Sequence, residues 1–304
     1  MYNTALAALL FFVSFLPASS QKTSLENKLK DKIARQTKVE QKSDVSLAKF
    51  EIRNIPEKNE KWQMSASAKS ALFIDVSSGE ILFEKEKDTR LSMASTTKLM
   101  TALVAIEKLN LNEVVTVPNF PVRPLDSVMG LAPGDKIKVS ELLHGLLIES
   151  GADAAMTLSN RISGSENAFA ALMNERALKL GLADTQFTNS VGYDATGHYS
   201  TTSDLSKLAK VVLSNKEVAQ IVAKSAYTAK AENGKTYYLT NTNKLVGGTN
   251  YKGVKTGTTF SAGGCLVSLY DDGSRKIIGV VLASPERFSE TQSIVNWTLK
   301  NFSW

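Results

Sequence analysis

Cysteine is nearly absent from this chain of 304 residues; Cys265 is the single one. One thiol cannot close an intramolecular disulfide, and it excludes a Cys-x-x-Cys zinc site. Histidine is almost as scarce. His144 and His198 lie far apart and form no metal-ligand motif. His144 sits inside the apolar run LLHGLLI and reads as a packed helix residue, which weakens, without removing, the alternative of a His-Asp-assisted nucleophile. The net charge is +6, yet the basic residues are not gathered into clusters interleaved with aromatics. A nucleic-acid partner is therefore not expected. A mildly basic protein suits an anionic cell wall or membrane surface equally well. Internal repeats are lacking as well. The composition, 43% hydrophobic and 22% charged, is that of an ordinary soluble globular protein.

A long apolar run is also missing, with one short exception. Residues 5–17, ALAALLFFVSFLP, are apolar but too short to span a bilayer comfortably. Small residues at Ala18 and Ser20 offer a signal-peptidase site, although no Lys or Arg precedes the run. Residues 1–20 thus read as a cleaved signal or as an N-terminal membrane anchor, and both would export the rest. Residues 21–66 are rich in Lys, Glu, Gln and Ser with no sustained apolar period, and read as a polar tether or a loose leader. The folded domain is expected over 67–304.

Within that domain, SALFIDVSSGEILFEK predicts two strands around a Ser-Ser-Gly turn. A helix is predicted from Ser95 to about Lys108, with apolar residues at Leu99, Met100, Leu103, Val104 and Ile106. A Pro-Gly turn in APGD precedes a helix-rich stretch from Val139 to about Leu182, and a further helix spans about Ser203 to Leu213. Strand-like segments return in KTYYLTNT, YKGVKTGTT, GGCLVSLY and KIIGVVLAS, before a closing helix in ETQSIVNWTLKNF. Strands, helices, strands, helix is not a regular βαβ alternation. The expected fold is α+β: a mainly antiparallel sheet covered by helices in α/β/α layers, with a helical subdomain.

Three short segments carry chemistry. In Ser95-Thr96-Thr97-Lys98 the serine and lysine fall on one helical face. A serine hydroxyl is a weak nucleophile until a base takes its proton, and a lysine serves only when neutral, through burial or a nearby cation. Alone, the pattern fits a capping serine followed by a surface lysine. In Lys255-Thr256-Gly257 a cation, a hydroxyl and a glycine on a strand edge could grip a carboxylate and let a substrate backbone approach; alone, it fits an edge lysine before a turn. In Ser150-Gly151-Ala152-Asp153 the serine could relay a proton, and it or Asp153 could also cap the next helix. Together, in this order and at spacings of about fifty-five and a hundred residues, the three match a set found in β-lactamases and penicillin-binding proteins.

From about Ala71 to the C-terminus the chain resembles the D-alanyl-D-alanine carboxypeptidases, the low-molecular-mass penicillin-binding proteins. The likeness runs through ALFIDVSSGEILFEK, MASTTKLMTAL, LAPGDKIKVSELLHGLLIESGADAA, NERALKLGLADTQFTNSVGYDATGHYSTTSDL, NTNKL and GVKTGTTFSAGGCLVS, about three quarters of the sequence. The resemblance implies a β-lactamase/transpeptidase-like fold and a serine D,D-peptidase. Ser95 would attack the penultimate D-Ala carbonyl of a peptidoglycan stem peptide, with Lys98 as base and Ser150 passing a proton to the departing D-Ala. The N–H groups of Ser95 and Thr258 would form the oxyanion hole. Lys255, Thr256 and Gly257 would line the substrate, with Arg287 near its carboxylate. β-Lactams would acylate the same serine. No metal or organic cofactor is implied, and the location implied is outside the cytoplasm: secreted, periplasmic or tethered through residues 5–17.

Two features depart from the family pattern. Ala152 stands where the middle motif usually has asparagine, whose side chain can bond both the lysine and the substrate amide. The chain also ends at Trp304 without the extra β-rich domain of many relatives. The leading expectation is a carboxypeptidase. A D,D-endopeptidase on cross-links and a peptidoglycan- or β-lactam-binding protein with weak turnover are alternatives. A β-lactamase is disfavoured, since no convincing glutamate motif for a deacylating base is found.

Overall fold

The computed structural model describes residues 55–58 and 64–304, apart from 121, 122, 124, 125 and 249. The expected signal or anchor over 1–20, and most of the expected tether over 21–66, lie outside the described residues. A short strand β1 (Glu57–Lys58) opens the described part. Strands β2 (Ser70–Asp75) and β3 (Ile81–Lys85) follow as the predicted hairpin. Asp75 organises its turn: one carboxylate oxygen accepts from the backbone N–H groups of Ser77 (3.0 Å) and Ser78 (2.7 Å) and from both hydroxyls. Gly79 takes the left-handed φ of +79° that the reversal needs.

The predicted helix at Ser95 divides in two. Residues Ala94–Thr97 form a 3₁₀ turn, and α1 (Lys98–Lys108) continues from it. Every residue of α1 from Lys98 to Ala105 is buried, as expected of a helix surrounded by others. A ribbon of β4 (Val114–Thr116) and β5 (Lys136–Lys138) leads to α2 (Val139–His144), a π turn over Gly145–Glu149, α3 (Ala152–Ser163) and α4 (Glu166–Lys179). Then come α5 (Thr202–Ser214) and α6 (Lys216–Val222). Side-chain caps begin three of these helices. Ser165 accepts from Ala168 N–H, Thr201 from Asp204 N–H, and Asn215 from the N–H groups of Glu217 and Val218. Helix α1 lies against α3, α4, α5 and the π turn, and its Leu99, Met100 and Leu103 are buried among them. Each such side chain contributes about 1.5–3 kcal/mol.

A second ribbon, β6 (Ala226–Lys230) with β7 (Thr236–Thr240), precedes the long strands β8 (Tyr251–Thr259), β9 (Gly263–Asp271) and β10 (Lys276–Ser284). Helix α7 (Arg287–Asn301) and β11 (Phe302–Ser303) close the chain. The main sheet has five strands in the order β3-β2-β10-β9-β8, all neighbours antiparallel. The strand period of two divides its side chains between two cores. Leu266, Tyr270, Ile277 and Val281 join Ile294 and Val295 of α7. Val267, Ile278, Val280 and Leu282 join Leu205 and Leu208 of α5. Helices therefore cover both faces, and the fold is the expected α+β arrangement in α/β/α layers. Both faces being buried explains why β9 and β10 read as near-continuous apolar runs.

Residues 57–58 pair with β11, and Met64 and Ala66 pack beside α7, so ordered packing reaches back into the stretch read as a tether. The short elements β4, β5, β6 and α6 were not legible, each being too brief for a period to show.

Candidate active site

The 3₁₀ turn places Ser95 three residues before Lys98, the buried first residue of the central helix. Lys98 Nζ lies 2.9 Å from Ser95 Oγ and donates to Val191 O at 2.7 Å. The ammonium is 1% exposed, and burial drives it down to about 7, against the opposing pull of Asp126 and Asp153. A hydroxyl bonded to an amine that is partly neutral at neutral pH has the makings of an activated nucleophile.

The backbone here is tightly held. Ala94 adopts φ +48°, in the left-handed region that a residue with a Cβ rarely enters. Its carbonyl oxygen lies against Gly192, where a Cβ would meet that oxygen at 2.1 Å. The loop bearing Gly192 is itself fixed. Asn189 Oδ1 accepts from the N–H groups of Val191 (3.2 Å), Gly192 (2.7 Å) and Tyr193 (3.0 Å). Ser190 is held by Thr101 Oγ1, which donates to its carbonyl, and by the Glu166 carboxylate, which accepts from its N–H and hydroxyl. The acceptor for Lys98 is thus set by a buried network.

Ser150 follows the π turn and is buried, with a left-handed φ of +64°. Ala152 starts α3; its side chain belongs to the apolar core, and its N–H donates to Ser127 O at 2.8 Å. Asp153 holds the same segment: its carboxylate accepts from the N–H groups of Met129 (2.9 Å), Gly130 (2.8 Å) and Leu131 (3.0 Å). It therefore shapes the 127–131 segment over the middle motif and does not stand in for the missing asparagine amide. The motif is tied to β8 through Thr242. Thr242 N–H donates to Ile148 O at 3.1 Å, and the Thr242 hydroxyl is 2.6 Å from that of Thr256.

Strand β8 is an edge strand of the sheet. Lys255 is buried, and its ammonium reaches the Thr256 carbonyl at 3.2 Å. Burial, with the neighbouring Lys98 and Arg287 charges, pushes Lys255 well below the ordinary lysine range. Gly257 passes directly over the 3₁₀ turn, where a Cβ would stand 2.9 Å from Ser95 N and 2.9 Å from Ala94 Cβ. Arg287, at the start of α7, donates from Nη1 to Gly257 O (2.8 Å) and to the Thr258 hydroxyl. It forms no ion pair among the described residues. Beside it opens a cavity of about 620 Å³ lined in part by Thr258, Phe260, Arg287 and Phe288. Contacts join Ser95 to Lys98, Lys255 to Thr256, and Arg287 to Gly257 and Thr258, and Gly257 lies against Ser95; Ser150 follows directly on the π turn that Thr242 ties to Thr256.

Several residues at the site were not found by sequence reasoning. Tyr193 donates to Asp126, and Arg123 lies 3.8 Å from the Tyr193 ring centre. Their positions are scattered and follow no spacing rule. His144 is buried as expected, stacked on Tyr227 with ring centres 3.7 Å apart. His198 is buried beside the 3₁₀ turn. Both rings direct their hydrogen bonds elsewhere than Ser95: His144 to Ser140 and Lys224, and His198 to Thr97 and Thr188.

Comparison with known proteins finds relatives that cover most of the chain. The sequence profile described as D-alanyl-D-alanine carboxypeptidase matches residues 57–286. The D-alanyl-D-alanine carboxypeptidase DacC of Escherichia coli is 34% identical over 257 residues, covering 78% of this chain; the chain spans 62% of the length of that relative. The crystal structure of the Streptomyces K15 DD-transpeptidase superposes with a TM-score of 0.74 at 34% identity, covering 79% of this chain and 100% of that one. Penicillin-binding protein D2 of Listeria monocytogenes, in its ampicillin-bound form, gives 0.69 at 30% identity, covering 78% and 100%.

Proposed function

The chain belongs to the D-alanyl-D-alanine carboxypeptidase family, and on that premise we propose that it removes the terminal D-Ala from peptidoglycan stem pentapeptides through an acyl-enzyme on Ser95. The single observation that carries this reading is the 2.9 Å contact between Ser95 Oγ and a buried Lys98 whose ammonium is brought down to about 7.

The proposed steps follow from the groups present. Neutral Lys98 Nζ accepts the Ser95 hydroxyl proton as Oγ bonds to the penultimate D-Ala carbonyl carbon. The N–H groups of Ser95 and Thr258 receive the oxyanion; loss of one such preorganised donor costs 10²–10³ in rate, about 2.7–4 kcal/mol. The C–N bond then breaks, and Ser150 passes the proton from Lys98 to the departing amine. Water attacks the ester, and the serine regains its proton. Arg287 and the Lys255-Thr256 pair bind the terminal carboxylate; the lack of a carboxylate partner for Arg287 among the described residues supports this role. Gly257 lets the strand approach the serine.

Ampicillin and related β-lactams would acylate Ser95 in the same way; the Listeria relative is a penicillin-binding protein in an ampicillin-bound form. A peptidoglycan substrate implies work outside the cytoplasm, with residues 1–20 as signal or anchor and the part of 21–66 that precedes β1 as the connection.

The test uses the full chain with a stem pentapeptide and a Ser95→Ala control. Release of D-Ala by the wild type alone is the expected result. Cleavage of a cross-linked dimer without D-Ala release would replace this reading with an endopeptidase. A stable penicillin adduct without turnover of either substrate would replace it with a binding protein.

A further inference from the structure

His198 is a buried titratable group that the proposed chemistry leaves unused. It is 4% exposed and bonds to two segments. Thr188 N–H donates to Nδ1 at 3.0 Å, with the Thr188 hydroxyl 3.3 Å from the same nitrogen. Nε2 lies 2.8 Å from Thr97 Oγ1, and Thr97 Oγ1 in turn donates to Ala94 O at 2.8 Å. A backbone N–H can only donate, so Nδ1 must accept. Burial, partly opposed by Asp194, brings the ring down to about 4, and it is neutral at neutral pH. Its one proton is therefore on Nε2 and points at Thr97 Oγ1, whose own proton is committed to Ala94 O. A single arrangement satisfies every donor and acceptor in this chain.

Ala94 O and Ser95 N–H belong to the same peptide unit. The unit is planar, so a bond that fixes the oxygen also fixes the direction of the N–H. This peptide follows a left-handed alanine, a conformation that persists only where its surroundings enforce it. Gly192 limits it on the oxygen side and Gly257 on the nitrogen side, but neither supplies a directional bond. Thr97 does, and His198 orients Thr97.

We propose that His198, acting through Thr97, is a positioning residue that aims the Ser95 N–H at the developing oxyanion. The inference rests on the acyl-enzyme reading above. The ring does not touch substrate. It holds the hydroxyl that holds the peptide.

Two amide substitutions separate this role from ordinary core packing, because each keeps a different half of the imidazole. In His198→Gln the side-chain amide reaches the Nε2 position and still donates to Thr97. In His198→Asn it replaces Nδ1, accepts from Thr188 N–H and stops short of Thr97. The measurement is the acylation of the full chain by a fluorescent penicillin, resolved into noncovalent affinity and the first-order acylation step. Thermal melting of each variant runs alongside.

His198→Gln is expected to keep the acylation step within about threefold of wild type. His198→Asn is expected to slow it about tenfold or more with affinity unchanged, a fraction of the 10²–10³ lost when an oxyanion donor is removed outright. Thr97→Val should match His198→Asn, Thr97→Ser should restore the rate, and the Thr97→Val/His198→Asn double variant should lose little more than either single one. An Asn variant as fast as the Gln variant overturns the positioning role while leaving the acyl-enzyme reading intact. So do losses that multiply in the double variant, or losses that track melting temperature alone. A wild type that forms no penicillin adduct overturns both, since Ser95 N–H would then have no oxyanion to meet.

Discussion

The α-carbon of Gly257 lies so close to the backbone nitrogen of Ser95 that a Cβ built on it would stand 2.9 Å away. The same Cβ would meet Met93 O at 3.1 Å, and neither obstacle is a flexible side-chain tip. Gly257→Ala should therefore displace β8 from the 3₁₀ turn. The expected result is acylation by penicillin at least about tenfold slower, a fraction of what losing an oxyanion donor costs. A rate equal to wild type would show that the close approach has no functional weight.

The Lys98 ammonium, brought from 10.5 to about 7, sets a pH dependence. The acylation rate constant should fall about tenfold per unit below pH 7, as the base becomes protonated, and level off above it. The stability consequence has the same origin. The folded value lies below the unfolded one, so between about 7 and 10.5 the unfolded chain binds more protons and stability rises with pH. Lys98→Met removes this linkage. Its stability relative to wild type should drop by roughly 3–4 kcal/mol between pH 7 and 10, measured by chemical denaturation. A difference that stays constant with pH would refute it.

Asp153 collects the N–H groups of Met129, Gly130 and Leu131 on one carboxylate. Asp153→Ala leaves those donors without their charged acceptor. The expected loss is about 3 kcal/mol, or roughly 6–12 °C in Tm for a chain of this size. Asp153→Asn, which keeps one acceptor oxygen, should lose less. Equal melting of the Ala and Asn variants would contradict this.

Arg287 is half-buried beside β8 with no carboxylate partner among the described residues. Arg287→Gln should raise KM for a peptide with a free terminal carboxylate about tenfold, since a charge-assisted bond is worth about 1.5–3 kcal/mol. A C-terminally amidated peptide should be turned over equally by variant and wild type. A similar loss on both peptides would assign Arg287 to support of the strand alone.

Ala152 occupies a core position at the start of α3. Ala152→Asn inserts a larger polar side chain there and should cost about 1–3 kcal/mol in stability. It should also change the acylation rate if the amide reaches Lys98. Unchanged melting and an unchanged rate would show that the position tolerates either residue.

Much of the fold was legible because its elements are long and periodic. The β2–β3 hairpin, the helices from Val139 onward other than α6, and the strands β8 to β10 fall where alternation and apolar spacing predict. Strands β4, β5 and β6 and helix α6 were missed, since three to seven residues carry too little period to separate from a loop, while β7 falls in the predicted segment KTYYLTNT. The residues of the site divide in the same way. Ser95, Lys98 and Lys255-Thr256-Gly257 sit in contiguous motifs. Asn189, Tyr193, Asp126 and His198 come from segments whose meeting is decided by packing.

By itself the sequence determined the layered α+β class, the three motifs and their order, and the family to which they point. It also located the departure at Ala152. Only the tertiary structure decided the electrostatics: Lys98 is poised near neutrality because helices enclose it and Val191 O anchors it, and burial is a property of the surroundings. The roles of Gly257, Gly192 and the Thr97–His198 bond were likewise settled by folding, because each depends on a close approach between segments tens of residues or more apart, which no local pattern encodes.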